Sequence, residues 1–260
     1  MSETSLTLFV GAIVFALGAV FGSAVTALSW RLPRNQSWAR GRSRCPACGH
    51  TLGALELVPL LSWLAARGRC RRCRSKVSPR YPLIELACAL WAVLAWQRLD
   101  LVPELIPVLL WGWMMVALVV IDIDFQLLPD ALTFPGTLVA VAAALLGPGP
   151  RHALLGIVVG SGYLWLFAWA WKTFLKRDGM GGGDIKLAAM FGALLGPVGA
   201  FLTITLAAFG GAVAGALMMA RGRGNMRSEL PFGAFLGPAS MAVFLWGDAM
   251  ADAYLKLLGR

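Results

Sequence analysis

Several acidic side chains lie inside or beside strongly apolar stretches of the chain, where carboxylates are uncommon. Five of them lie on the side that the topology below makes cytoplasmic, namely Glu85, Asp122, Asp124, Asp130 and Asp184. Burying a carboxylate near hydrocarbon is costly, so such a residue is by default a candidate for function. Two carboxylates held close together tend to share one proton, so that one can activate water while the other protonates the carbonyl oxygen or the leaving amine of a peptide. A close pair of these acids could therefore hydrolyse a peptide bond.

The composition around these acids is that of a membrane protein. The 260 residues are 58% hydrophobic and 14% charged, against roughly 45–50% and 25% in soluble domains. Eight apolar stretches are long enough, or nearly so, to cross a hydrocarbon core of about 30 Å. They cover residues 6–28, 82–98, 104–123, 132–147, 153–174, 185–197, 199–219 and 233–254. The sequence predicts an all-α polytopic membrane protein with about eight transmembrane helices. The first stretch has no basic region before it, which favours a retained helix over a signal peptide.

The distribution of Lys and Arg predicts the orientation in the membrane. Most of the 23 basic residues lie in three segments on one side, namely 31–80, 172–186 and 221–227. By the positive-inside rule, the 31–80 loop is cytoplasmic and both termini are outside. The net charge of +10 then follows from the topology, so no nucleic-acid partner is needed to explain it. The lipid bilayer, and anionic lipid in particular, is the expected electrostatic partner.

The same topology brings two of the acids to one side. Asp122 ends the third stretch and Asp184 opens the sixth, so two crossings separate them and their depths are similar. On a helix, Asp124 is rotated by ~200° from Asp122 and does not share its face. Gly181 and Gly183 would let backbone approach a substrate closely. From these residues alone three interpretations stay open: aspartic catalysis, a transporter's ion site, or a structural role in which Asp184 caps a helix.

Four cysteines in the 31–80 loop have the spacing of a metal site. Cys45, Cys48, Cys70 and Cys73 form C-x2-C-x21-C-x2-C, which suits four thiolates around a tetrahedral Zn²⁺. Disulfides and unligated thiols are the alternatives, but a cytoplasmic loop is kept reducing. A structural zinc would stabilise a loop that is too short to build much core. The small cytoplasmic loop is therefore predicted to be a zinc knuckle. His50 is a possible substitute ligand, and Cys88 is expected to be a packing residue inside the second stretch.

Taken together, these motifs resemble the type IV prepilin peptidases, a family of G-x-G-D aspartyl proteases. The G-x-G-D signature lies in "GMGGGDIKL", and its partner segment is similar to "IDIDFQLLPD". The two cysteine knuckles match, as do segments in the same order along the chain: "FGSAVTALSWRLP" (21–33), "LVPLLSWLAARGRC" (57–70), "RYPLIEL" (80–86) and "PFGAFLGP" (231–238). Two positions depart from the family pattern: Thr26 stands where Asn is usual, and Ala234 stands where Pro is common.

The resemblance implies residue roles. Asp122 and Asp184 are the implied catalytic pair. The residues implied to support them are Gly181, Gly183, Asp124, Asp130, Lys186 and Glu85. Lys186 either adjusts the local charge or reaches the headgroups, and Glu85 is either a polar anchor or a substrate contact. The implied organisation is a first transmembrane helix (1–30), the zinc-binding loop (31–80) and a transmembrane peptidase domain (81–260).

The resemblance also implies an activity. Such an enzyme removes the basic leader of type IV prepilins or pseudopilins after a Gly, at the cytoplasmic face of the bacterial inner membrane. Many members also methylate the new N-terminus with S-adenosylmethionine, although no Gly-rich nucleotide fingerprint is present here. The alternative is a non-catalytic transporter or assembly scaffold that uses the acids for ions or packing. Against transport, the stretches show no convincing inverted repeat.

Overall fold

A computed structural model describes residues 2–37, 41–176, 180–222 and 230–257. These residues form eight α-helices: α1 (Glu3–Arg31), α2 (Leu61–Ala65), α3 (Arg80–Leu99), α4 (Leu105–Phe125), α5 (Asp130–Leu146), α6 (Pro150–Leu175), α7 (Gly182–Ala220) and α8 (Gly233–Leu257). Six of them are long and apolar enough to cross a membrane, namely α1, α3, α4, α6, α7 and α8, and α5 is a shorter apolar helix. The predicted all-α polytopic membrane fold is confirmed. Five basic residues of the orientation argument, Arg40, Arg177, Arg223, Arg227 and Arg260, lie outside the described residues.

The chain divides into two units, Met1–Leu101 and Val102–Arg260. In the first unit α1 packs closely on α3. A Cβ on Gly22 would lie only 2.6 Å from Cα of Glu85, so the two backbones are nearly in contact there. Cys88 is fully buried in the same unit, a Cβ on Gly22 would lie 3.1 Å from its Cβ, and it is a packing residue. The loop between the helices carries α2 and two isolated β-bridges, Arg44 with Thr51 and Arg69 with Lys76.

In the second unit α7 folds back on itself. Gly196 has φ 69° and ψ −174° within the helix, and Pro197 follows it; only glycine adopts such a conformation without strain. A Cβ on Gly160 of α6 would lie 2.8 Å from the carbonyl oxygen of Ala188 and 3.4 Å from Cβ of Ala200. In a straight helix those two α7 residues would be roughly 18 Å apart. The two halves of α7 are therefore the sixth and seventh apolar stretches of the sequence, joined by a bend.

The bend and the packing around it depend on close backbone contact. Gly156 of α6 faces Gly192 of α7, and neither position has room for a Cβ. The ring of His152 lies against Gly196, with Nε2 3.3 Å from the carbonyl oxygen of Leu194. That carbonyl lies two residues before Gly196, where the helix breaks. The imidazole thus supplies a polar neighbour at the point where α7 turns.

Candidate active site and metal site

Asp122 lies in the last turn of α4 and its side chain is buried, with 5% exposed. The helix ends just after it because Gln126 adopts a left-handed conformation with φ 51°. The N–H of Gln126 donates to the carbonyl oxygen of Asp122 at 2.9 Å. This is the last regular i→i−4 hydrogen bond of the helix, and the left-handed residue ends it with the Asp122 carboxyl group in the final turn.

The start of α8 meets this carboxyl group. The backbone N–H of Ala234 donates to Oδ2 of Asp122 at 2.9 Å. A Cβ on Gly233 would lie 2.8 Å from the same oxygen, so only glycine fits at this position without a shift. The first N–H groups of a helix have no partner within the helix and carry partial positive charge. Asp122 therefore supplies from α4 the acceptor that the first turn of α8 needs.

Asp184 lies in the first turn of α7 and is half-buried. Its N–H donates to the carbonyl oxygen of Gly181 at 3.2 Å, which closes the turn that starts the helix. Gly183, which precedes Asp184, and Gly233, which lies against the carboxyl group of Asp122, both face Leu128, so the two acids lie at one site. The structure thus brings together the two acids that the topology argument paired.

Leu128 lies against the starts of both α7 and α8 at this site. Its Cδ1 lies 3.3 Å from the position of a Cβ on Gly183, and 3.2 Å from the corresponding position on Gly233. Gly183 directly precedes Asp184, and Gly233 lies against Asp122. The buried side chain of Leu128 therefore fills the space between the start of α7 and the start of α8.

The other two acids of the segment "IDIDFQLLPD", Asp130 and Asp124, have different surroundings. Nζ of Lys186 is 2.6 Å from Oδ1 of Asp130, which joins the first turn of α7 to the first turn of α5. The same ammonium group lies 5.5 Å from the centre of the Phe134 ring. Asp124, in contrast, is exposed on the side of α4 away from Asp122.

Glu85 belongs to the first unit, in the second turn of α3. Its Oε2 accepts a hydrogen bond from the backbone N–H of Leu60 at 2.8 Å. Leu60 immediately precedes α2 and has φ 60°, an unusual conformation for a residue with a Cβ. Glu85 thus anchors the loop segment before α2 to a membrane-spanning helix.

The four loop cysteines form a cluster that could hold a metal ion. The Sγ atoms of Cys45, Cys48, Cys70 and Cys73 all lie within 4.8 Å of one another. Sγ of Cys45 is 3.8 Å from Sγ of Cys73, which is about the separation of two thiolates on a tetrahedral zinc with Zn–S bonds of about 2.3 Å. His50 Nε2 instead lies 3.2 Å from Oε2 of Glu56. The donor set and its spacing therefore fit zinc with four cysteines.

Hydrogen bonds favour the thiolate form of two of these ligands, Cys45 and Cys73. The N–H groups of Cys48 and Ala47 lower the pKa of Cys45 to about 6. The hydroxyl of Ser75, followed by its backbone N–H, lowers the pKa of Cys73. A thiolate is the form that binds a metal, so these hydrogen bonds prepare the cluster for a cation.

Three site residues were not found by reasoning from the sequence. Leu128, Gly233 and Ala234 contact the acid pair or each other, yet none has a side chain that could take part in proton transfer. The available signal was the segment "PFGAFLGP", which was recognised as a motif without a role. Its role in the structure is to present backbone N–H groups and a position without Cβ to Asp122.

The chain is similar to known proteins along most of its length. Residues 16–99 match the bacterial peptidase A24 N-terminal domain, and residues 108–216 match the type IV leader peptidase family. A prepilin leader peptidase/N-methyltransferase from Pseudomonas putida is 35% identical over 268 residues, which is 94% of this chain and 93% of that protein.

Two other proteins of the same name are similar to the chain. The one from Stutzerimonas stutzeri is 40% identical over 82% of this chain and 75% of its own length. The one from Myxococcus xanthus is 40% identical over 88% of this chain and 70% of its own length. No solved structure matches the chain significantly. With family models over both units and relatives aligned along most of its length, the chain belongs to the type IV leader peptidase family.

Proposed function

We propose that the chain is an aspartic endopeptidase that removes the basic leader from type IV prepilins or pseudopilins. The observation that carries this proposal is the convergence of two carboxyl groups, those of Asp122 and Asp184, from the ends of separate helices. Neither carboxyl group is paired with a cation in the described residues. An acid pair of this kind has the chemistry of peptide hydrolysis, and the relatives are named as leader peptidases.

In the proposed reaction the two carboxyl groups hold one proton between them. The ionised carboxylate takes a proton from water, and the resulting hydroxide attacks the scissile carbonyl carbon. The protonated carboxyl group donates its proton to the carbonyl oxygen, which gives a tetrahedral diol. Collapse of the diol breaks the C–N bond, and a carboxyl group returns a proton to the leaving amine. Gly183 and Gly233 allow Leu128 and the carboxyl group of Asp122 to pack directly against the starts of α7 and α8, because neither residue has a Cβ.

The charge distribution supports a location at the cytoplasmic face of the bacterial inner membrane. In this orientation the 31–80 loop is cytoplasmic and both ends of the chain lie outside. A prepilin whose helix sits in the same membrane has its positive leader inside, so its scissile bond after Gly lies near this face. Asp122 and Asp184, at the ends of two spanning helices, would therefore lie close to the scissile bond.

Methylation of the new N-terminus is proposed from family membership, because the relatives are named as N-methyltransferases as well as peptidases. S-adenosylmethionine would supply the methyl group. Among the described residues nothing identifies its binding site, and we assign none.

Zinc is the proposed ion of the four-cysteine cluster, with a structural role. Cys45, Cys48, Cys70 and Cys73 would complete a four-coordinate shell, which leaves no open position for substrate. Zinc would then stabilise the 31–80 loop, while 1–30 forms the first helix and 81–260 carries the peptidase chemistry.

The acid pair is tested by prepilin cleavage in membranes. Asp122→Asn and Asp184→Asn should each reduce cleavage by about 10²–10⁴-fold, the usual contribution of a general acid or base. Asp124→Asn is the matched control, since this exposed acid lies two residues from Asp122, and it should retain most of the rate. Normal cleavage by either asparagine variant would exclude the pair and favour the alternative of a transporter or scaffold.

A further inference from the structure

A depression in the 31–80 loop of the first unit is lined largely by arginines. Its volume is about 350 Å³, and the residues around it are Ala65, Ala66, Arg67, Arg69, Arg71 and Arg74. The acid pair of the second unit does not involve these residues. Four arginines that line one concave surface make it a favourable environment for an anion, and arginine in particular binds phosphate through paired N–H groups.

The charge of these arginines is not balanced within the loop. Glu56 is the only acid among residues 31–80, which contain twelve Lys and Arg residues. Its carboxylate accepts hydrogen bonds from the N–H of Gly53 and from His50, and of the four arginines it interacts with Arg71. Four thiolates around one Zn²⁺ would add only two negative charges. A large positive surplus remains, so an external anion is the expected counterion.

The backbone around the depression is held in place by hydrogen bonds. Arg67 and Arg74 both have positive φ, at 52° and 59°. The N–H of Arg74 donates to the carbonyl oxygen of Cys70 at 3.0 Å, and the N–H of Val77 donates to that of Gly68 at 2.8 Å. The arginines are therefore presented from fixed turns, and little backbone ordering is needed when a ligand binds.

The segment beside the depression exposes large apolar side chains. Leu61 and Leu64 of α2 are 66% and 61% exposed, and Leu57 and Val58 just before it are also exposed. α2 ends at Ala65, which is the first residue of the depression. Apolar and basic side chains thus adjoin on one short segment, which is the pattern of an element that lies at a membrane surface.

Two hydrogen bonds hold this segment near the membrane end of α3. Glu85, in the second turn of that spanning helix, accepts the N–H of Leu60 at 2.8 Å. Nε1 of Trp63 donates to the carbonyl oxygen of Val77 at 3.2 Å, three residues before α3 begins. α2 therefore lies at the level of the first turns of a helix that crosses the bilayer, where headgroups and the ends of acyl chains are its neighbours.

We propose that this arginine-lined depression is a binding site for the phosphate groups of anionic phospholipids, with Leu61 and Leu64 inserted into the interface beside it. The site would fasten the cysteine-bearing loop to the bilayer surface. Because the leucines accompany the arginines, the lipid headgroup is favoured over a free phosphate as the source of the anion. The inference does not depend on the acid pair or on peptidase activity.

The test uses the full chain in nanodiscs and measures amide hydrogen exchange over residues 57–76. Exchange should be at least about fivefold slower in phosphatidylglycerol-containing nanodiscs than in phosphatidylcholine alone. A change of about fivefold is the effect expected from the attraction of one basic residue to an anionic surface. Arg69→Gln/Arg74→Gln should remove most of this difference. Arg72→Gln/Lys76→Gln is the matched control, because it removes the same charge from exposed residues of the same loop that do not line the depression.

The remaining outcomes separate the possible sources of the anion. Equal exchange in the two lipids, or equal loss of protection in both variant pairs, would overturn the lipid site. Protection by inorganic phosphate in phosphatidylcholine nanodiscs, with no added effect of phosphatidylglycerol, would identify a small soluble anion instead. Protection that requires added prepilin would make the depression a surface for substrate. Leu61→Ser/Leu64→Ser should weaken the lipid effect, whereas Leu55→Ser should leave it intact.

Discussion

The backbone N–H of Ala234 and the carboxylate of Asp122 are joined by a hydrogen bond of 2.9 Å between residues 112 positions apart in the chain. This bond makes the orientation of a proposed catalytic group depend on the start of another helix. It is also a bond that proline could not make, since proline has no N–H. The departure from the family pattern at this position therefore gives this chain an additional donor to its buried acid.

Ala234→Pro is expected to lower kcat/KM for prepilin cleavage by less than about tenfold, below the full contribution of about 1.5–3 kcal/mol from a hydrogen bond to a charged group, because the N–H of Gly233 also bonds the carboxyl group of Asp122 and proline is common at this position in the family. Ala234 is the second residue of α8, where proline is compatible with a helix, so α8 should still form. Ala234→Ser keeps the N–H and should behave like the wild type in the same kinetic assay. An unchanged rate in the proline variant would show that the bond does not position Asp122.

Gly183 and Gly182 offer a matched pair at the start of α7. A Cβ on Gly183 would lie 2.9 Å from Cβ of Leu128, whereas a Cβ on Gly182 would meet nothing within 4 Å. Gly183→Ala should therefore displace Leu128 or Asp184, at a cost of about 1–3 kcal/mol, and reduce cleavage. Gly182→Ala should remain active. Melting temperatures measured alongside cleavage would separate loss of folding from displacement of the acid, and equal activity of the two variants would contradict the prediction.

The ion pair between Lys186 and Asp130 should contribute little to global stability. Its side chains are 40% and 56% exposed, and exposed pairs are worth about 0.2–1 kcal/mol. A double-mutant cycle with Lys186→Met and Asp130→Asn should give a coupling energy in this range, smaller at high salt. The rate of cleavage should fall several-fold in either single variant and no further in the double variant. The reason is that each substitution removes the same ion pair at the start of α7. Additive losses of activity would show that the two residues act separately.

Zinc content distinguishes the four loop cysteines from the fifth. Cys45→Ser/Cys70→Ser should lose zinc and lower the melting temperature, while Cys88→Ala should keep zinc because Cys88 packs between α1 and α3. The pKa of Cys45 is lowered from 9.0 to about 6, whereas that of Cys48 is raised to about 11, so protons compete with the metal unequally at the ligands and zinc binding should weaken as the pH falls. Metal analysis across pH checks both points. Stoichiometric zinc in the double variant would exclude the four-cysteine site.

Hydropathy and helix-breaking residues were enough to predict most of the helices. A spanning helix must satisfy its backbone internally and face lipid, which leaves a long apolar stretch in the sequence. The bend of α7 was also readable, since Gly196 and Pro197 interrupt an apolar segment that is too long for one crossing. α2 was not predicted because its five residues are too few for a periodic pattern.

The neighbours of each helix could be predicted only in part. In a membrane both the packed and the lipid-facing sides of a helix are apolar, so hydropathy does not show which helices touch. Asp122 and Asp184 were paired because the number of crossings restricts an acid to one side of the bilayer. The contacts of Asp122 with Gly233 and Ala234 are made through backbone and through the absence of a Cβ. Neither leaves a chemical signature in the residue types.

The bend at Gly196 also has a consequence for depth. The first half of α7, residues 182–195, rises roughly 21 Å, which is less than the ~30 Å of a bilayer's hydrocarbon core. If the bend reaches one surface, the helix that begins at Gly182 stops short of the other, and its first turn, with Asp184, is recessed beneath the lipid headgroups. Such a recess would admit water to the carboxylates while surrounding helices keep acyl chains away. A hydrolytic reaction inside a membrane requires that kind of indentation, and a folded half-helix creates it without a channel.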